Sequence, residues 1–250
     1  MSPDHRRSLV GGNWKMHLLR GEAEEYCRRF VAGLGTSAAE VALFPSHPLL
    51  PTVAGALTGS PIACGGQDIH PEDKGAHTGD VSGPQLVDAG CSWVLCGHSE
   101  RRQDHGETDE LVGEKAVAAI RHGLAPLICI GETLDERQAD RTFEVLERQL
   151  GRALAGRPDP FAVAYEPIWA IGTGETATPE MAQEAHRFLR ELLADLIGDE
   201  AAAARRILYG GSAKPGNAAQ LFAQPDIDGF LVGGASLDPE SFSAIIRCCG

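Results

Sequence analysis

Carboxylate, imidazole and ammonium side chains follow several short apolar runs of this sequence. Lys15 comes after the first run, His98 and Glu100 come after the fourth, and Glu166 comes after the sixth. A carboxylate can take a proton from a carbon next to a carbonyl group. A lysine and a histidine can then stabilise the negative charge that develops on the oxygen. Brought together, these side chains could move a proton between two carbons without a metal or a cofactor.

Glycine-rich turns follow the seventh and eighth runs, at 210–211 and 233–234. Backbone N–H groups in such turns approach anionic oxygens closely because glycine has no Cβ, and barrels commonly bind phosphate there. The set is therefore complete for isomerising a small phosphorylated aldose or ketose. A Walker-type phosphate loop is absent from the sequence, and the nearest string to G-x-G-x-x-G, at 172–177, comes late and lacks the third glycine.

The elements that must position these residues are eight apolar runs, each followed by an amphipathic stretch. The runs are continuous rather than alternating, as in parallel strands buried on both faces. They lie at 9–10, 41–44, 61–64, 93–96, 126–130, 161–165, 207–209 and 230–232. A mean spacing of about thirty residues fits an α/β fold with a single (β/α)8 barrel domain over 1–250. The alternative is an open doubly wound sheet.

Capping signals predict where two of the helices begin. Thr133 and Glu136 have the spacing of a capping box. Thr178 and Pro179 are an N-cap and a first helical residue, and the helix should run to Gly198. Its predicted apolar stripe comprises Met181, Ala185, Phe188, Leu192 and Leu196. The longest loop is expected at 65–83.

Composition excludes several classes of protein. The 250 residues are 43% hydrophobic, which rules out a disordered chain, and the net charge of −13 argues against nucleic acid as the main partner. No apolar run approaches the roughly 18–20 residues that span a membrane, and no secretory signal is recognisable. Seven cysteines without a C-x-x-C pair indicate reduced, mostly buried thiols in a cytoplasmic protein. Only Cys248 and Cys249 are expected in an exposed tail.

Six strings, in order along the whole chain, resemble the triosephosphate isomerase family. They are GNWKM (12–16), GAHTG (75–79), GHSERR (97–102), AYEPIWAIGTG (164–174), YGGS (209–212) and GFLVGGAS (229–236). The resemblance implies a TIM barrel that interconverts dihydroxyacetone phosphate and D-glyceraldehyde 3-phosphate through an enediolate, in glycolysis and gluconeogenesis. It implies no cofactor and no metal.

The resemblance also implies a role for each matching catalytic residue. Glu166 is similar to the base that shuttles the proton between the two carbons, and His98 to the neutral imidazole that polarises the carbonyl. Lys15 resembles the cation that faces the phosphate and the enediolate, with Asn13 beside it. Glu100 is similar to the acid that positions Lys15.

Substrate, lid and interface residues follow from the same resemblance. Gly172, Ser212, Gly233 and Gly234 resemble the phosphate donors, and Ile171 and Leu231 resemble an apolar clamp over Glu166. The lid is implied at Pro167, Ile168, Trp169, Ala170, Ile171, Gly172, Thr173 and Gly174. Thr78, in the long third loop, resembles the tip that enters a second subunit near Lys15, so a homodimer is expected.

Other interpretations of the same residues remain open. Cys96 and His98, two apart on a predicted strand, could share a face and ligate zinc, although no third ligand has suitable spacing. The substrate could be a four-carbon ketose phosphate instead of a triose phosphate. A non-catalytic phosphate-binding barrel should have lost Lys15, His98 or Glu166, and all three are present.

Overall fold

Eight parallel strands close into a barrel in the computed structural model, which describes residues 6–156, 158–170 and 177–250. Each strand pairs with the next along the chain, and the last returns to the first. Val10 on the first strand lies beside Val41 on the second and Phe230 on the eighth. The strands are β1 Leu9–Asn13, β2 Glu40–Phe44, β3 Ile62–Gly66, β4 Trp93–Cys96, β5 Ala125–Ile130, β6 Ala162–Tyr165, β7 Ile207–Tyr209 and β8 Gly229–Val232. The predicted (β/α)8 TIM barrel is confirmed, and the open sheet is wrong.

Helices surround the barrel on the outside. Within the described residues they are α1 Arg20–Leu34, α2 Leu50–Ala56, α3 Gly83–Asp88, α4 Ser99–His105, α5 Asp109–Arg121, α6 Leu134–Gln138, α7 Thr142–Ala153, α8 Pro179–Ile197, α9 Asp199–Ala204, α10 Ala218–Phe222 and α11 Pro239–Arg247. Short 3₁₀ turns occupy His47–Leu49, Ile168–Ala170 and Gly234–Leu237. No helix in these described ranges combines the length and apolarity that crossing a membrane requires.

The apolar core has two layers because side chains alternate along each strand. On β4, Trp93 and Leu95 belong to the cluster that fills the barrel. Val94 and Cys96 belong to the larger cluster between strands and helices. The strand residues are therefore buried on both faces, which explains why the runs read as continuously apolar.

The predicted helix starts are confirmed, and the predicted apolar stripe of α8 overlaps its buried face only in part. Thr133 and Glu136 form the capping box, and the Thr178 hydroxyl accepts a hydrogen bond from the Met181 N–H. Of the predicted stripe only Ala185 is buried, and Leu196 is 44% exposed. The face against the barrel comprises Ala182, Ala185, His186, Leu189 and Leu193. Of the other predicted residues, Met181, Phe188 and Leu192 are half-buried and pack against the core, so the predicted stripe lies beside the fully buried face.

The cysteines are largely buried, as predicted, but the carboxyl-terminal pair is not an exposed tail. Six of the seven are buried and Cys248 is half-buried, all as free thiols. Cys249 belongs to the outer core layer, and its carbonyl accepts a hydrogen bond of 2.7 Å from the Ser8 hydroxyl. α11 packs beside α1, and this contact holds the end of the chain against the barrel.

Candidate active site

A cavity of about 390 Å³ lies at the mouth formed by the carboxyl ends of the strands. Residues at the ends of five different strands, β1, β4, β6, β7 and β8, line it, which is where barrel enzymes place their reacting groups. The predicted residues that it brings together are Asn13, Lys15, His98, Glu166, Ser212, Leu231, Gly233 and Gly234. Lys214, which the sequence analysis did not single out, also lines it. Two lysines thus face a cavity in a chain of strongly negative net charge.

Glu166 follows β6 directly and is only 2% exposed. One carboxylate oxygen, Oε2, accepts a hydrogen bond of 2.9 Å from the backbone N–H of Ser99. The other, Oε1, lies 3.1 Å from Nε2 of His98. The backbone of Gly210 passes so close that a Cβ there would lie 2.8 Å from Cγ of Glu166. The carboxylate is therefore held at a fixed place on the wall of the cavity.

His98 reaches the cavity because the chain turns at Gly97, which has a φ of +72°. His98 caps α4, and its Nδ1 accepts a hydrogen bond of 3.2 Å from the N–H of Glu100. Because Nδ1 is the acceptor, the proton of the neutral ring is on Nε2, the nitrogen that faces Glu166. The ring thus presents an N–H donor to the cavity.

The same turn separates His98 from Cys96. Cys96 packs in the outer layer against the helices, where burial raises the pKa of its thiol well above the usual range. His98 faces the cavity instead. The alternation that would place residues two apart on one face ends at Gly97, so the zinc interpretation of this pair is wrong.

Lys15 sits in a left-handed backbone conformation, with a φ of +51°. That conformation costs a residue other than glycine about 1–3 kcal/mol. Two side chains hold it: Asn13 Oδ1 accepts from the Lys15 N–H at 2.9 Å, and Gln67 Nε2 donates to the Lys15 carbonyl at 2.8 Å. The ammonium group forms an ion pair of 2.5 Å with Glu100. Glu100 does not line the cavity, but it contacts two residues that do, Lys15 and His98.

The chain after Glu166 is anchored at Glu132, a fully buried carboxylate. Its Oε1 accepts hydrogen bonds from the Trp169 indole at 2.8 Å and the Tyr165 hydroxyl at 3.1 Å. Its backbone carbonyl accepts from the N–H of Ile168 at 3.1 Å. The sequence analysis gave Glu132 no role. Of the predicted lid, Pro167, Ile168, Trp169 and Ala170 are described, whereas Ile171, Gly172, Thr173 and Gly174 lie outside the described residues.

A second cavity of about 630 Å³ adjoins Lys15 on the side of α4. Met16 and Glu100 are among the residues that line it, and Met16 is 92% exposed. Thr78 is exposed on the loop between β3 and α3 and lines neither this cavity nor the first.

A buried ionic cluster lies below this second cavity, centred on Lys115. The ammonium group pairs with Asp68 at 2.6 Å and with Glu107 at closer range, and Arg101 pairs with both carboxylates. Burial raises the pKa of Asp68. Burial also opposes ionisation of Glu107, but the hydrogen bond and the charge of Lys115 outweigh it and lower the pKa of Glu107.

One group of potential metal ligands occurs in the part of the chain that the structure describes. His70, His77 and Asp80 place ligand atoms within 4.8 Å of one another on the loop before α3. Nδ1 of His70 accepts a hydrogen bond from the N–H of Glu72, so the neutral ring carries its proton on Nε2, 3.6 Å from Asp80. A nitrogen that carries a proton does not ligate, so a metal here would require His70 to change tautomer and give up its bond to Glu72.

A closed (β/α)8 barrel with a carboxylate, an imidazole and an ammonium group at one mouth defines an acid–base barrel enzyme. Comparison with known proteins gives the family. The model of the triosephosphate isomerase family matches residues 8–249. The chain is 52% identical to the triosephosphate isomerase of Moorella thermoacetica, over 97% of this chain and 98% of that protein. It is 49% identical to that of Geotalea uraniireducens, over 97% and 98%. The chain belongs to the triosephosphate isomerase family.

Proposed function

We propose that this chain is an isomerase that interconverts dihydroxyacetone phosphate and D-glyceraldehyde 3-phosphate through an enediolate. The observation that carries the proposal is the contact between Glu166 and His98 beside Lys15 in one cavity. A base, a neutral hydrogen-bond donor and a cation are what the transfer of a proton between neighbouring carbons requires. Family membership and the site geometry support the same reaction independently.

Glu166 takes the proton from the carbon next to the substrate carbonyl and returns it to the neighbouring carbon. His98 donates from Nε2 to the carbonyl oxygen, and Lys15 stabilises the charge on that oxygen. In the free protein Nε2 already faces Oε1 of Glu166 at 3.1 Å. The substrate oxygen must therefore replace the carboxylate as the partner of His98, and that exchange frees Glu166 to approach carbon.

The phosphate group binds at Ser212, Gly233 and Gly234, with Gly172 from the lid. The cavity of about 390 Å³ accommodates a three-carbon phosphate. Asn13 acts by holding the backbone of Lys15. Leu231, which is buried in the barrel interior and lines the cavity, forms with Ile171 the apolar clamp that dries Glu166 when the lid closes.

The chain functions as a homodimer of single-domain barrels in the cytoplasm. Met16, almost fully exposed beside Lys15, and Leu19, 74% exposed, are large apolar residues that a second subunit would cover. The cavity that adjoins Lys15 binds the exposed Thr78 loop of the second subunit. Free thiols throughout the described chain suit a reducing compartment.

A coupled assay with both triose phosphates, run with a chelator present, tests the proposal. The wild-type protein should convert each substrate into the other. Glu166→Asp withdraws the carboxylate by one C–C bond, and a misplacement of about 1 Å should reduce kcat about 100-fold while KM changes little.

Turnover of the variant within a few-fold of wild type would reject Glu166 as the base. Faster conversion of a four-carbon ketose phosphate would show that this compound is the substrate. No turnover of either compound would support a non-catalytic, phosphate-binding barrel. Loss of activity in chelator, restored by Zn²⁺, would show that the reaction needs a metal.

A further inference from the structure

One cysteine lies on β3, and a second lies in the turn that leads into the neighbouring strand β4. Cys64 is in β3, and Cys91 comes two residues before β4. The N–H of Ser92 donates to the Cys64 carbonyl at 2.9 Å, so the two chains are already paired at this point. The register places Gly65 opposite Trp93, which puts Cys91 one residue out of step with Cys64.

That offset fits the geometry of a disulfide. A strand spacing of about 4.8 Å and a rise of about 3.3 Å per residue give a Cα separation of about 6 Å. Disulfides span Cα separations of about 4.4–6.8 Å, with a maximum frequency near this value. Alternation along a regular strand would turn a residue one out of step to the opposite face, but Cys91 precedes β4, and both side chains belong to the outer core layer.

The two thiols are close enough to affect each other's ionisation. Their interaction raises the pKa of Cys64 and lowers the pKa of Cys91. Other thiols have different partners: Cys129, Cys248 and Cys249 donate to backbone carbonyls of their own strand or helix. Cys91 is thus the thiol that ionises first, and Cys64 is the neighbouring thiol that can react with it in a second step.

Cys91 also lies next to solvent. It is 7% exposed and stands between two exposed residues, Gly90 and Ser92. Cys64 is 4% exposed and lies behind it. A small oxidant would therefore meet Cys91 first, and the thiolate is the form that attacks.

We propose that Cys64 and Cys91 are a reversible thiol–disulfide pair that small disulfides such as oxidised glutathione oxidise. The Cys91 thiolate attacks one sulfur of the oxidant, forms a mixed disulfide and releases the first glutathione thiolate. Cys64 then loses its proton and attacks the Cys91 sulfur, and the second glutathione thiolate leaves. The two protein thiols are oxidised and one glutathione disulfide is reduced to two glutathione molecules.

The bond would close a loop over 64–91, which contains the exposed segment with Thr78. Closing it removes freedom from the unfolded chain and stabilises the fold. Neither cysteine lines the cavity at the mouth of the barrel, which lies at the opposite end of the strands. Oxidation should therefore raise the thermal midpoint by several degrees and leave turnover unchanged.

Equilibration of the native protein in glutathione buffers of increasing oxidised fraction tests the proposal, with diamide as a smaller second oxidant. Mass spectrometry should show the loss of two hydrogens without bound glutathione. Tryptic peptides 30–74 and 75–101 should be linked, and fragmentation should place the link at Cys91 and not Cys96. Cys91→Ser should abolish both the link and the rise in midpoint, whereas the matched control Cys248→Ser should keep both.

Three results would overturn the proposal. Seven free thiols after treatment with both oxidants would show that the pair does not react in the folded protein. Glutathione retained on Cys91 would show that Cys64 cannot reach it. A link to any other cysteine would show that the pairing is different. These measurements on the wild-type protein do not depend on a variant folding.

Discussion

Replacing Gly210 with alanine should displace the proposed base without removing it. A Cβ at this position would lie 2.8 Å from Cγ of Glu166 and 3.1 Å from the carbonyl oxygen of Tyr165. That carbonyl accepts the N–H of Gly210 at 2.7 Å, which ties it to the backbone, so the Glu166 side chain has to move. Carbon atoms in contact lie about 3.5–4.0 Å apart, so the shift is about 1 Å. A displacement of that size should lower kcat about 10- to 100-fold.

The assay is steady-state isomerisation by Gly210→Ala, with Gly216→Ala as the matched control from the loop after the same strand. A Cβ on Gly216 meets nothing within 4 Å, so this variant should behave as wild type. Overpacking should also cost Gly210→Ala about 1–3 kcal/mol of stability, which urea unfolding measures. A folded Gly210→Ala protein with kcat within twofold of wild type would refute the claim that the base is held in place by this close approach.

Three further predictions concern the interface, the lid and the pH dependence of stability. Thr78→Arg places a charge in the proposed interface, so light scattering should show monomers and activity should fall; monomers with full turnover would contradict the coupling. Glu132→Gln weakens the bond that holds Trp169, so a phosphate-bearing enediolate analogue should bind about fivefold more tightly. Unchanged affinity and Trp169 emission would argue against a lid released from Glu132. Burial lowers the pKa of His186 from 6.5 to about 4, so the unfolded chain binds a proton that the folded chain excludes. The free energy of unfolding should therefore fall from about pH 6.5 to pH 4 by up to about 3 kcal/mol. Urea titrations should show less of this fall in His186→Leu.

The barrel and its main polar residues could be predicted because each depends on local sequence. A strand buried on both faces produces a continuous apolar run wherever it occurs. The residue after each run then lies at the mouth of the barrel, and this position does not depend on how the helices pack. Lys15, His98 and Glu166 were found in this way, and the structure places all three in one cavity.

The residues that support them could not be found locally. Gln67 holds the Lys15 carbonyl from another strand end, 52 positions along the chain, and its sequence neighbourhood gives no sign of this. Glu132 follows the fifth apolar run in the sequence. Its bonds to Tyr165 and Trp169 depend on how β5 and β6 pack side by side, which the local sequence does not show. The centre of the buried face of α8 was misplaced for a similar reason, because a histidine faces the barrel. His186 is tolerated there because its Nδ1 donates to the carbonyl of Asp226 at 3.1 Å.

The contact between Glu166 and His98 explains how the free site can be both stable and ready to react. A buried carboxylate needs hydrogen-bond donors, and here the Ser99 N–H donates to it while Nε2 of His98 lies 3.1 Å from its other oxygen. The same Nε2–H is the group that a substrate carbonyl needs, so substrate binding would turn His98 away from the carboxylate. Loss of that neighbour frees Glu166 to face the carbon that comes within reach. The turn at Gly97 is what makes this exchange available, since it brings His98 out of the outer layer and into contact with Glu166.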